Sequence, residues 1–190
     1  MTGEAVKKRG LRFCVIAILL PVALTACSGG GGSSTPVSPT DYMGAVCSHV
    51  QTWITDIRQG FQQLQEAARP GTAPDKGKDL LRSFFDRAVS DTDAMISGIE
   101  DAGTPAVQSG QAVASSLISQ LQRARAALDT ARKAVDTLPT SSQSAFQQAA
   151  NSLGSQIQSN MSGIGTAISA LHSPELEQAA KKAPDCTSLG

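Results

Sequence analysis

From residue 41 to residue 171 the apolar side chains recur at every third or fourth position, a period that commits the chain to helices. One stripe runs Met43, Val46, Val50, Trp53, Ile57, Phe61, Leu64, and a second runs Leu81, Phe84, Ala88, Thr92, Met95, Ile99, Ala102. Between them "RPGTAPD" (69–75) places two prolines and a glycine, a strong helix break. Laid head to tail, the stripes pair in a single register: Met43 opposite Ala102, Trp53 opposite Thr92, Phe61 opposite Phe84, Leu64 opposite Leu81. Antiparallel helices joined by a short turn must pair this way, because both rise about 1.5 Å per residue.

A second hairpin follows the same rule. Val113, Leu117, Leu121, Ala124, Leu128, Ala131, Val135 and Leu138 form one stripe, and "LPTSS" (138–142) interrupts it. Phe146, Ala150, Leu153, Ile157, Met161, Ile164, Ile168 and Leu171 form the other, in register from Val113 with Leu171 through Leu121 with Ile164 to Leu138 with Phe146. "GTP" (103–105) is expected to end the second helix and start the third, and Asp75 to cap the second. Two amphipathic hairpins can bury their stripes against each other, which predicts an all-α, up-down-up-down four-helix bundle. Pro174 to Lys182 reads as a short extra helix, a C-terminal extension. Aromatic residues make up only 4% of the chain and its formal net charge is zero. Neither suits a nucleic-acid surface, which stacks bases and neutralises phosphates.

The amino-terminal part has a different grammar. Lys7, Lys8, Arg9 and Arg12 precede an apolar run from Phe13 to Leu24. As a helix that run would rise about 18 Å, short of a bilayer core of about 30 Å, so it reads as a cleaved secretory signal. Its end, Leu24-Thr25-Ala26-Cys27, resembles the lipobox of bacterial lipoprotein precursors. The resemblance implies cleavage after Ala26 and a diacylglycerol on Cys27, with acyl chains enough for stable anchoring. It divides the chain into a signal peptide (1–26), a lipidated cysteine with a flexible Gly/Ser/Pro linker (27–40) and a helical domain (41–190). Ser28 to Thr40 would span roughly 20 Å as a flexible coil. Beyond the signal, 12 basic and 15 acidic side chains leave a formal charge of −3. The domain is similar to the small helical lipoproteins of actinobacteria, which implies the outer face of the cell membrane.

Two cysteines remain in the helical part, Cys47 and Cys186. Outside the cytoplasm such a pair reads as a disulfide, contributing about 4–5 kcal/mol in the chain-entropy model for so long a loop. The competing use of these thiols is a zinc site of Cys47, His49, His172 and Cys186. Cys47 and His49 stand two apart, however, and so point about 200° apart on a helix, unlike structural zinc spacings. No metal or cofactor site is therefore expected.

No phosphate loop, nucleophile elbow, Cys-His pair or HExxH stands in the sequence. Asp91, Asp93, Glu100 and Asp101 read as solvated, as does the charged face of Arg123, Arg125, Asp129, Arg132 and Lys133. The expected function is non-enzymatic: a lipid-anchored bundle presenting a surface to a protein or cell-envelope partner. The alternative is a carrier or sensor with a small apolar ligand or lipid inside the bundle. Gly154, Gly163 and Gly165 bear on that choice. They mark close helix approach, simple tolerance in a rigid bundle, or a fourth helix softened to open a cavity.

Overall fold

A computed structural model of the chain describes residues 36–67, 69, 71–169 and 173–188, with their side chains except at 66, 67 and 160–169. The signal sequence, Cys27 and most of the linker lie outside the described residues, as do His172 and Leu171. Among the described residues every regular element is a helix: α1 (Pro39–Ala67), α2 (Pro74–Asp101), α3 (Gly110–Val135), α4 (Gln143–Ser169), α5 (Pro174–Ala180) and α6 (Pro184–Thr187). The all-α expectation holds.

α1 begins earlier than the stripe suggested. Pro39 fits the first helical position, where its missing N–H costs nothing, and the Ser38 hydroxyl accepts from the Asp41 N–H at 3.1 Å as a cap. Residues 36–38 also belong to the fold rather than to the spacer. Val37 donates to the Thr104 carbonyl and accepts from the Ala106 N–H, both at 2.8 Å. The chain entering the domain is thus pinned to the α2–α3 connection. That connection is longer than the "GTP" break implied: α2 ends at Asp101, Gly103 takes a positive φ, and α3 starts only at Gly110. Gly110 is required there, since a Cβ would strike the Pro105 carbonyl oxygen. Asp75 is not the cap of α2 either. Ala73 occupies that position with no side-chain hydrogen bond, and Asp75 lies in the first turn, where its charge suits the helix dipole.

The first hairpin packs in the expected register. The Trp53 indole N–H donates to Thr92 Oγ1 at 2.9 Å, and the Phe61 and Phe84 rings lie 5.0 Å apart. Buried Thr92 in turn donates its hydroxyl hydrogen bond to the Ala88 carbonyl at 2.6 Å, so both polar groups are satisfied. α2 carries a second buried column, Phe85, Val89 and Ile96, beside the first. With two apolar faces it packs on α1 and on α3 alike, and α4 packs on α3. Three of the four seams of the expected bundle are therefore present. Among the described residues α1 and α4 share no extensive contact, and the fourth seam holds a cavity.

The core divides along the rods. One cluster centres on Phe84, Phe85, Val135 and Phe146, the other on Tyr42, Ile96, Ile99, Leu121 and Leu176. α5 and α6 dock on α1 at the second cluster. There Cys47 and Cys186 form a disulfide with Cα atoms 5.0 Å apart. The clamp at Val37, the disulfide and α5–α6 thus gather at the end where the linker enters.

Candidate functional site

The open seam has a definite shape. Its cavity measures about 390 Å³. Trp53, Ile57, Phe61 and Leu64 line it from α1, and Ala150, Leu153, Gly154 and Ile157 face them from α4. Leu81, Phe84 and Phe85 of α2 form its floor. Every stripe residue here was expected to meet another stripe. Instead Phe61, paired with Phe84 on one side, is 55% exposed on the other because no helix covers it. Gly154 likewise faces open space: a Cβ built there meets nothing within 4 Å. Of the roles considered for Gly154, close approach does not fit, while a cavity wall and simple tolerance of the glycine both do. Gly163 and Gly165 fall among residues whose side-chain surroundings are not described.

The cavity does not end at Leu64. A second hollow of about 310 Å³ shares Leu64, Leu81 and Ala150 with the first and opens between Gln143, Gln147 and Asn151. On α4 these amides follow at intervals of four and form one column, which Gly154 and Gln158 extend along the rim of the first cavity. Among the described residues their side-chain amides make no hydrogen bond, and none of the described side chains lining either hollow is charged. Sequence reasoning missed this column, although its four-residue spacing in a helix otherwise read for apolar residues was visible.

Close helix approach occurs elsewhere, at glycines the sequence did not single out. A Cβ at Gly60 would fall 2.8 Å from the Phe84 ring, and one at Gly77 would fall 2.8 Å from the Phe146 ring. At Gly98 the His49 ring fills the same space. His49 is thereby committed to the α1–α2 seam. The zinc alternative also loses both thiolates to the disulfide, and the described residues contain no group of three His, Cys, Asp or Glu able to hold a metal.

The charged face expected on α3 is more than a solvated surface. Arg125 binds Asp93 at 3.0 Å, Arg132 reaches Asp86 at 3.5 Å, and Arg82 binds Asp136 at 2.7 Å. The partners step by seven and then four residues on both helices, so the ladder follows the antiparallel register of α2 and α3. Within α3, Asp129 binds Lys133 at 2.8 Å and Arg132 at 3.0 Å. The hydrogen bond from Lys133 leads in holding the Asp129 carboxyl below its ordinary range, and that from Arg82 does the same for Asp136. Asp91 goes the other way, raised by desolvation and then by Asp56. Tyr42 is buried with its hydroxyl unpartnered among the described residues, and desolvation raises its pKa. Neither group reaches the open seam.

No helix among the described residues is long and apolar enough to cross a membrane. No family model matches the chain, and neither a curated protein nor a solved structure resembles it significantly.

Proposed function

We propose that this chain is a lipid-anchored, extracytoplasmic helical protein that holds an apolar ligand and carries out no covalent chemistry. The observation behind the proposal is the uncharged cavity of about 390 Å³ left where α1 and α4 fail to close. Small-molecule sites are commonly recesses of about 300–1,000 Å³, lined by apolar and aromatic groups with a few polar groups at the edge. The described side chains of the walls offer no acid, base or nucleophile, which suits a carrier or sensor better than an enzyme.

The lipobox-like Leu24-Thr25-Ala26-Cys27 supports a membrane tether, and the clamp at Val37 gives that tether a fixed point of entry. Residues 28–36 would leave the domain within roughly 30 Å of the bilayer if fully extended. A surface for a protein or cell-envelope partner remains the second reading, favoured by the exposed ring of Phe61 at the cavity mouth.

The test is thermal unfolding of the purified protein with and without a lipid extract of the membrane that carries it. A ligand at a hundredfold its Kd adds about 2.7 kcal/mol, which at this chain length raises Tm by several degrees. An unchanged Tm, together with a protein crosslinked through position 61 on intact cells, would favour the second reading.

A further inference from the structure

We infer that the trough at the α1–α4 seam takes an amphiphile with one acyl chain and an uncharged, hydroxyl-bearing head group, the chain lying against Trp53 and the head group at the amides of α4. This rests on the reading of the cavity as a ligand site and adds the chemistry of the ligand.

The size of the hollow sets the chain. A methylene fills about as much space as a water molecule, about 30 Å³, so 390 Å³ holds roughly a dozen carbons. The α1 wall from Trp53 to Leu64 is about 16 Å long, the scale of such a chain when extended. A second protein is a poor fit. A stable interface needs about 800 Å² from each partner, whereas the one large apolar side chain exposed among the described residues is Phe61. The other apolar groups are recessed, within reach of a slender chain but not of a helix about 10 Å across.

The edge sets the head group. A carboxylate or phosphate brought to an uncharged rim would lose hydration without gaining a counter-ion. Gln143, Gln147, Asn151 and Gln158 offer amide donors and acceptors in a row, the complement of hydroxyl groups. The charged side chains of the α2–α3 ladder are paired with one another and line neither hollow.

Trp53 makes the inference measurable, because it is the chain's only tryptophan and it lines the cavity. The full chain carrying Cys27→Ser, and so free of its own acyl groups, is titrated with a monoacylglycerol brominated along its chain. The same brominated chain as a free fatty acid at pH 8 is the anionic control, both being kept below micellar concentration. Saturable quenching of Trp53 by the neutral probe is expected, with at least tenfold weaker quenching by the anion. Gly154→Leu, which puts a side chain into open space in the trough, should abolish quenching without lowering Tm. Equal binding of both probes would overturn the head-group assignment and leave the cavity as a ligand site. Quenching by neither probe, or quenching that persists in Gly154→Leu, would overturn the assignment of this ligand to the trough. If the lipid extract still raises Tm in that case, the broader ligand reading survives; if it does not, both fall.

Discussion

Breaking the Cys47–Cys186 bridge should destabilise the whole domain and release its C-terminal helices first. The cysteines are 139 residues apart in sequence. In the chain-entropy model a loop of that length contributes about 5 kcal/mol by restricting the unfolded chain. That is a large share of the roughly 5–15 kcal/mol by which domains are stable. At about 2–4 °C per kcal/mol for a chain of this size, Tm should fall by about 10–20 °C. The local consequence follows from burial. α5 and α6 hold themselves to the domain chiefly through Leu176, Ala179 and Ala183. Burying one leucine is worth about 2–3 kcal/mol and each alanine less. Ordering the sixteen residues 173–188 costs about 1 kcal/mol or more apiece, offset only in part by their own helical hydrogen bonds. The covalent link therefore decides whether the segment stays docked. The assay is thermal unfolding of a Cys47→Ala, Cys186→Ala double variant, with hydrogen exchange resolved by segment. A Tm within about 3 °C of the parent, with protection retained across 174–188, would refute the reasoning.

Three further perturbations test other seams. Thr92→Val leaves the Trp53 indole without its acceptor and should cost about 1–2 kcal/mol while shifting Trp53 emission, whereas Thr92→Ser keeps the emission of the parent; unchanged stability and emission in Thr92→Val would contradict this. Gly98→Ala forces a methyl into the His49 ring and should cost about 1–3 kcal/mol in urea unfolding, most of it recovered in Gly98→Ala, His49→Ala; a neutral single variant would contradict the packing. Asp129 and Asp136 have depressed pKa values when folded, so their contribution is fully present above the ordinary carboxylate pKa of about 3.9 and is lost as pH falls through their lower folded values. Stability should thus decline below about pH 4, less steeply in Asp136→Asn and at high salt; an equal decline in parent and variant would rule out the Arg82–Asp136 contribution.

The first hairpin could be read from sequence because a single rise per residue fixes its register, and Trp53 with Thr92 and Phe61 with Phe84 follow from that alone. What periodicity could not provide was how the helices associate. A stripe identifies one buried face per helix, yet α2 buries two, and Phe85, Val89 and Ile96 stand outside the single stripe assigned to it. The ladder beside that face was equally hidden, because its partners belong to different stripes and show only their short-range pairs along one helix. The open seam was beyond the method for a related reason. Leu64, Ile57 and Ile157 have the same apolar character whether they meet another helix or border a hollow, and only packing distinguishes the two. Gly154 was the one residue of the site whose type pointed to it, through the helix stability that a glycine gives up.

Native mass spectrometry of the processed protein, released gently from the membrane that displays it, tests the account most directly. The account predicts a chain that begins at Cys27 with a diacylglycerol attached, together with a non-covalent adduct of one single-chain amphiphile that is absent from Gly154→Leu. An unmodified amino terminus and a bare polypeptide mass would contradict both the tether and the cargo.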